Sequence, residues 1–139
     1  MLRNVVEQAS EPVPGRTGPV DLDIIIPVFN EELGIENLFT RLETAFDASV
    51  RESHQIKSVR LLLVDDGSTD GTAARIAERI RAGLSARLIR LSRNFGHQAA
   101  LCAGLHHADA SLVAIMDADL QDPPEVILEM LAAWRQGAD

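Results

Sequence analysis

The segment LDIIIPV, at residues 22–28, is rich in β-branched residues and almost continuously apolar. Such a strand is typical of a parallel sheet that is covered on both faces, because a strand with one face in water alternates apolar and polar residues. Three more apolar segments of strand length follow, at residues 59–64, 87–91 and 111–116. We therefore predict a mostly parallel sheet.

Segments with a helical spacing of apolar residues lie between and after these strands, at residues 31–50, 70–83, 97–108 and 123–136. Four successive strand–helix units predict an α/β, Rossmann-like fold with helices on both faces of the sheet. In such sheets ligands bind beyond the carboxyl ends of the strands, where the strand order reverses. If the order is 3-2-1-4, that point lies between the first and fourth strands.

Composition narrows the function classes. The chain has 139 residues, of which 46% are hydrophobic, so we expect one domain with a real core. Its formal net charge of −8 argues against a general nucleic-acid surface, although a metal and a few arginines can offset the charge of a nucleotide. The single cysteine, Cys102, excludes an internal disulfide and fits a reducing compartment.

The start of the chain differs from the rest. Residues 1–20 carry scattered charges, prolines and glycines, so we predict a flexible leader followed by one domain at 21–139. The sequence shows no apolar stretch of the length that a signal peptide or a transmembrane helix needs. We therefore expect a soluble, cytoplasmic chain.

The acidic segment DADLQD, at residues 117–122, directly follows the fourth strand. Asp117 and Asp119 are two residues apart, so in an extended segment their side chains point the same way, and Gln121 joins them as a neutral oxygen donor. Mg²⁺ is usually held by one or two carboxylates plus substrate phosphates. The segment predicts a metal site; the alternative is an ordinary polar turn. Asp122 is instead predicted to cap the next helix.

Polar residues also follow the first and second strands. Asp65 and Asp66 end the second strand, and a carboxylate there can accept a hydrogen bond from a nucleobase or a ribose; a purely structural turn is an equal alternative. Asn30 after the first strand is expected to cap the helix that begins at Glu31. The Glu31 carboxylate can reach a ribose.

The loop after the third strand adds hydrogen-bonding and positive groups. It contains Arg93, Asn94 and His97, with Gly96 permitting close approach of the backbone. Arg93 faces either a phosphate or an internal acid, and the sequence leaves both open. Neither a Gly-x-Gly-x-x-Gly nor a P-loop motif is present, so a phosphate would be held by metal rather than by a glycine-rich loop.

Several blocks together resemble family 2 glycosyltransferases with the GT-A fold: IIIPVFNE at 24–31, VDDGSTDGT at 64–72 and DAD at 117–119. The blocks RNFGHQAA at 93–100 and DLQDPPE at 119–125 are similar to polyprenyl-phosphate sugar transferases, the group around dolichol-phosphate mannose synthase. The resemblance runs from about residue 21 to residue 139.

This resemblance implies a nucleotide-diphosphate sugar donor, with UDP or GDP, and a lipid-phosphate acceptor. It places Asp65 at the base and Asp117 and Asp119 at the catalytic centre, with Asp117, Asp119 and Gln121 holding Mg²⁺ or Mn²⁺. The residues expected around the nucleotide are Pro27, Val28, Phe29, Asn30, Glu31, Asp65, Asp66, Arg93, Asn94, Gly96, His97, Asp117 and Ala118.

The chain departs from the family pattern in two ways. His97 stands where the family usually has lysine, which weakens a role based on charge at that position. The acceptor half of the family lies beyond residue 139, so we read the chain as the donor half, weakly active or inactive alone, from an enzyme at the inner face of a membrane.

Two alternatives remain open. One is a metal-dependent phosphotransferase of the phospho-aspartate type, which would need an aspartate at the end of the first strand. The other is a non-catalytic fragment that forms homo-oligomers through an exposed sheet edge.

Overall fold

The computed structural model describes residues 15–138, which form a four-stranded parallel sheet with five helices. The order of the strands in the sheet is β3-β2-β1-β4, which is the order that the location of the site assumed. In chain order the elements are β1 (Val20–Val28), α1 (Ile35–Ala45), α2 (Ala48–Ser53), β2 (Ile56–Asp65), α3 (Thr72–Arg81), β3 (Ala86–Arg90), α4 (His97–His107), β4 (Leu112–Ile115) and α5 (Val126–Arg135).

The inner strand β1 is buried on both faces, which explains its continuous apolarity. Ile25 aligns with Leu62 of β2 and with Ile115 of β4. Ile24 and Ile26 point into the main core, which α1, α3 and α5 cover, whereas Ile25 packs against α4 on the opposite face. The predicted α/β fold with helices on both faces is confirmed.

Helix α4 lies very close to the sheet because Gly104 faces Ile25. A Cβ atom at position 104 would lie 2.5 Å from the Cγ2 atom of Ile25, which is closer than real Cβ atoms come to other atoms. The glycine therefore sets the distance between α4 and β1, and with it the position of the helix start at His97.

The single helix predicted at 31–50 is wrong. The chain turns after Glu31, whose carbonyl accepts hydrogen bonds from the N–H groups of Gly34 and Ile35, and α1 begins only at Ile35. A second helix, α2, follows because the Asp47 side chain accepts the N–H of Val50 and starts a new helix.

Much of the segment predicted as a leader at 1–20 lies outside the described residues, which begin at 15. Val20, its last residue, belongs to β1. Arg16 donates to the carbonyls of Trp134 in α5 and of Ala138 just after it, and Arg135 of α5 donates to two carbonyls of the segment that holds Arg16. The described part of this segment is therefore hydrogen-bonded to α5.

A buried ion pair closes the amino-terminal end of the sheet. Both carboxylate oxygens of Asp23 accept hydrogen bonds from Arg60 at 3.1 Å, and one of them also accepts the N–H groups of Asp109 and Ala110. Burial alone would raise the pKa of Asp23, but the bonds from Arg60 and the two backbone groups outweigh it and lower that pKa. Asp23 thus fixes the turn between α4 and β4.

Within residues 15–138, none of the helices is both long and apolar enough to cross a bilayer.

Candidate active site

The loops at the carboxyl ends of β1, β2 and β4 and the start of α4 meet in one cleft of about 270 Å³. This is the position that the strand order predicts, where the connections leave β1 and β4 in opposite directions. All of its lining residues were expected at the site from the sequence. They are Pro27, Val28, Phe29, Glu31, Asp66, His97, Asp117, Ala118 and Asp119.

Asp117 and Asp119 both line the cleft, but not through the alternation of an extended strand. β4 ends at Ile115, the chain turns, and the backbone of Leu120 adopts a φ of 60°. The Asp119 carboxylate accepts the N–H of Gln121 at 3.2 Å within this turn. The Gln121 side chain is exposed and does not line the cleft, so its role as a metal ligand stays a prediction.

Glu31 brings a further carboxylate to the same cleft. Burial raises the pKa of Glu31, and the negative charges of Asp119 and Asp70 raise it further. The other charged lining residues are Asp66, Asp117 and Asp119, so among the described lining residues only His97 can carry a positive charge. A diphosphate entering this cleft therefore needs a cation to offset the repulsion.

The donor atoms of the cleft suit a hard divalent cation, because they are carboxylate oxygens. Within the described residues, no three His, Cys, Asp or Glu side chains are close enough to form a complete metal site. Two carboxylates such as those of Asp117 and Asp119 would leave the rest of a magnesium coordination shell to phosphate oxygens and water. Their role as metal ligands stays a prediction.

Asn30 joins two loops instead of capping a helix, so the prediction of a cap was wrong. Its backbone has a φ of 50°, its N–H donates to the Ser68 hydroxyl at 2.8 Å, and its side-chain oxygen accepts the N–H of Thr69 at 2.8 Å. These contacts join the loop after β1 to the loop after β2, about forty residues later in the chain.

Three more hydrogen bonds continue this connection. The N–H of Glu31 donates to the Thr72 hydroxyl at 2.9 Å, and the N–H of Glu32 donates to the Asp70 carboxylate at 3.3 Å. In return, the Glu32 carboxylate accepts the N–H of Gly71 at 2.9 Å. The backbone at Glu31 is thereby held from both sides, which prearranges this wall of the cleft.

The two aspartates at the end of β2 have different surroundings. Asp65 is fully buried, and one carboxylate oxygen accepts the N–H of Ser68 at 3.1 Å. Its other oxygen lies 3.4 Å from Nε of Arg90 but makes no hydrogen bond with the described residues. Asp66 accepts the N–H groups of Phe95 at 2.8 Å and Gly96 at 3.1 Å, and it lines the cleft.

The loop after β3 contributes less to the cleft than the sequence predicts. Arg93 and Asn94 are exposed and do not line it, and the Arg93 guanidinium lies over the Phe95 ring at 4.9 Å. The structure therefore shows Arg93 neither at a phosphate site nor paired with an acidic side chain in the described part of the protein. Gly96 has a φ of 102°, a conformation that favours glycine, and leads into His97, which lines the cleft.

The prediction that Asp122 caps a helix was wrong. α5 begins at Val126, and the preceding Glu125 makes no capping bond with its side chain. Glu125 instead accepts two hydrogen bonds from the Arg41 guanidinium of α1, each at 3.2 Å. The two residues are 84 positions apart, so no local pattern indicates the pair.

A second, more apolar groove of about 440 Å³ shares His97 and Asp117 with the cleft. Its floor includes Val113 and Ile115 of β4, which are 40% and 41% exposed. Among the described strands, β4 pairs only with β1, which leaves its outer edge open. Self-association through this edge stays a prediction.

Residues 23–139 match the family model described as glycosyl transferase family 2. The chain belongs to this family. It is 40% identical to the uncharacterized glycosyltransferase YkcC of Bacillus subtilis, over 85% of this chain and 35% of that protein. It is 38% identical to the dodecaprenyl-phosphate galacturonate synthase of Rhizobium johnstonii, over 91% of this chain and 40% of that protein. It thus spans 35–40% of the length of these relatives.

Solved structures of glycosyltransferases share the fold. The mannosyltransferase PcManGT of Pyrobaculum calidifontis, in complex with GDP-Man and Mn²⁺, superposes with a TM-score of 0.69 at 25% identity, over 96% of this chain and 36% of that one. S. aureus TarS in complex with UDP-GlcNAc gives a TM-score of 0.57 at 27% identity, over 71% of this chain and 26% of that one. The GT-A resemblance seen in the sequence is confirmed.

Proposed function

We propose that this chain is the donor-binding part of a metal-dependent, inverting glycosyltransferase that moves a sugar from a nucleotide diphosphate to a polyprenyl phosphate. One observation carries the proposal. In a chain of glycosyl transferase family 2, Asp117 and Asp119 line an acidic cleft at the point of the sheet where the strand order reverses, between β1 and β4. A cleft lined by four carboxylates repels a bare diphosphate, so binding requires a divalent cation.

Asp117 and Asp119 would hold Mg²⁺ or Mn²⁺ through their carboxylate oxygens. The bound cation would act as a Lewis acid, stabilising charge on the leaving diphosphate. The Mn²⁺ found with GDP-Man in PcManGT supports a cation of this kind. The chain itself contributes the acidic pair and the turn at Ala118 and Asp119, with both carboxylates in one cleft.

The nucleoside would lie against the end of β1. Phe29 lines the cleft and is 44% exposed, so its ring offers apolar surface to a base or a ribose, and Glu31 offers a carboxylate to the ribose hydroxyls. Asp65 keeps one buried carboxylate oxygen without a hydrogen bond, which supports its assignment to an N–H group of the base. GDP-Man in PcManGT and UDP-GlcNAc in TarS make both nucleotides reasonable ligands.

The acceptor we propose is a lipid phosphate, supported by the dodecaprenyl-phosphate galacturonate synthase among the relatives. A phosphate acceptor is already ionised near neutral pH, so the reaction does not require a strong general base. In this proposal the whole enzyme works at the inner face of a membrane, with the cleft of this chain supplying the donor.

Titration calorimetry with UDP and GDP, each with and without Mn²⁺, tests the proposal. We expect one nucleotide to bind only with Mn²⁺, and Asp119→Asn to weaken that binding at least about tenfold, because a metal ligand is lost. Asp122→Asn is the matched control, since it removes the same charge from the same loop but lies outside the cleft. No binding by either nucleotide, or equal effects of the two variants, would refute the proposal.

The phosphotransferase alternative finds no support in the structure. It needs an aspartate at the carboxyl end of β1, where the chain has Pro27, Val28 and Phe29. Beryllofluoride, which mimics a phosphorylated aspartate, is therefore expected not to bind stoichiometrically.

A further inference from the structure

Asp66 lines the cleft, but both oxygens of its carboxylate are hydrogen-bonded to the protein backbone. Its side chain is almost fully buried, at 5% relative exposure for the residue, and each of its two oxygens accepts a backbone N–H group, one from Phe95 and one from Gly96. Its neighbour Asp65 still has an oxygen without such a bond. The adjacent aspartates therefore differ in what they can offer to a ligand.

The residue after Asp66 supports the same contact between loops. Gly67 has a φ of 78°, and a Cβ atom at this position would collide with the backbone of Arg93 and Asn94. The loop after β3 therefore lies directly on Asp66 and Gly67, with no room for a side chain between them. The two loops form one packed unit.

This unit ends at the start of α4. Gly96 is the N-cap residue of that helix, and Asp66 accepts the N–H of Gly96 itself, so the aspartate anchors the backbone at the helix start from a different strand. A carboxylate at this end also interacts favourably with the helix dipole. The next residue, His97, lines both the acidic cleft and the apolar groove, and so stands where the two cavities meet.

We infer that Asp66 is a positioning residue that holds the backbone at Phe95 and Gly96, and thereby sets His97 at the junction of the cleft and the groove. This positioning role takes the place of the direct nucleotide contact expected for Asp66 from the sequence. Only the effect on a nucleotide bound near His97 rests on the proposed function. Asp66 orders the loop, whereas the Asp65 carboxylate bonds Ser68 and lies beside Arg90.

Backbone amide exchange in the ligand-free chain tests the first half of the inference. We expect the N–H groups of Phe95 and Gly96 to exchange slowly, and Asp66→Ala to speed both by about tenfold or more, since each loses a bond to a charged acceptor. Asp66→Asn keeps the shape and one acceptor oxygen, so one of the two N–H groups should stay slow. If both rates are unchanged in both variants, the inference is wrong.

The matched control in the exchange experiment is Asp65→Asn. It removes the same charge from the neighbouring position, whose carboxylate bonds Ser68 and not the loop after β3. It should leave exchange at Phe95 and Gly96 unchanged. Because no nucleotide is present, this result stands even if the proposed function fails.

A double-mutant cycle tests the second half, with the affinity for UDP or GDP in Mn²⁺ as the readout. We expect Asp66→Asn to weaken binding about tenfold in the wild-type background, but by less than about twofold in a His97→Ala background, because the residue acts through His97. Independent losses that multiply would show a direct nucleotide contact and overturn the inference. Absence of any nucleotide binding by the wild type would instead count against the proposed function.

Discussion

Glu31 and Asp119, carried by the loops after the neighbouring strands β1 and β4, line the same cleft, and the charge of Asp119 adds to burial in raising the pKa of Glu31. Like charges collected in one cleft destabilise a protein until a cation or ligand offsets them. Functional clefts commonly show this conflict between stability and binding. The pair therefore links the fold to the proposed chemistry.

Removing one charge of this pair should stabilise the ligand-free chain. The pKa of Glu31 is raised in the folded state, so ionisation of Glu31 costs stability above its unfolded pKa, near 4.5, and costs nothing below it. Glu31→Gln should therefore raise the free energy of unfolding at pH 7, and with it the melting temperature. The gain should be no more than about 1 kcal/mol because the group is partly solvated, and there should be little effect at pH 4.

The control for this experiment is Glu52→Gln, which removes the same charge from an exposed position on α2. The chain carries a net charge of −8, so losing any acid can help slightly. If both variants gain equally at pH 7, or if Glu31→Gln loses stability, the repulsion between Glu31 and Asp119 is not significant.

The Asp23–Arg60 pair should determine part of the acid sensitivity of the fold. The pKa of Asp23 is lowered in the folded state, so its contribution is complete above the unfolded pKa, near 3.8, and is lost as pH falls through the folded pKa. Asp23→Asn removes the buried acid of the pair, leaves Arg60 with the exposed Asp109, and should cost about 3 kcal/mol at pH 7 in urea unfolding.

Asp109→Asn is the matched control for Asp23. Asp109 also pairs with Arg60, at 2.9 Å, but its side chain is 83% exposed, so the loss should stay below about 1 kcal/mol. Equal losses in the two variants would show that burial of Asp23 does not strengthen its pair.

Arg135 should stabilise the fold without affecting the cleft. Its guanidinium donates to carbonyls of Arg16 and Gly18 on one side and of His54 and Gln55 on the other. A lysine cannot reproduce this planar set of donors, so Arg135→Lys should lower the unfolding free energy by about 1–2 kcal/mol.

The exposed Arg81 of α3 provides the control, since Arg81→Lys changes the same residue type at the surface. Nucleotide affinity should stay the same in both variants. A drop in affinity for Arg135→Lys at a temperature where it is folded would contradict the separation between the two ends of the sheet.

Gly104 should be required for the packing of α4. Gly104→Ala places a methyl group 2.5 Å from Ile25 Cγ2, so α4 must move away from the sheet. We expect a loss of about 1–3 kcal/mol in chemical unfolding, the range for overpacked cores. Cys102→Ala, at an exposed position of the same helix, is the control and should be nearly neutral. A neutral Gly104→Ala would show that α4 has room.

The sequence predicts the strands and the polar residues that collect at their carboxyl ends, because both depend on local patterns. Apolar segments such as residues 22–28 specify strands, and polar residues at their ends meet at one edge of a parallel sheet. The sequence does not predict the role of a residue whose hydrogen-bond partners lie far away in the chain. Asn30 bonds Ser68 and Thr69 instead of capping a helix, and Glu125 pairs with Arg41 of α1.

The metal site illustrates the same limit in more detail. Alternation along an extended segment predicts that Asp117 and Asp119 lie together, and both line the cleft, although the chain turns at Ala118 and Asp119, before the positive φ of Leu120, instead of staying extended. The same turn leaves Gln121 outside it. A positive φ at a leucine has no signature in composition or spacing, so the sequence does not reveal it.

Paramagnetic broadening of the amide NMR signals by Mn²⁺, with and without UDP or GDP, tests the proposed metal–nucleotide site most directly. With nucleotide present, low Mn²⁺ should broaden the signals of Asp117, Ala118 and Asp119 first, while those of Asp23 and Arg135 at the other end of the sheet stay sharp. Mg²⁺ in excess should reverse the effect. Broadening that is the same without nucleotide, or that is strongest away from residues 117–119, would contradict a metal–diphosphate site in this cleft.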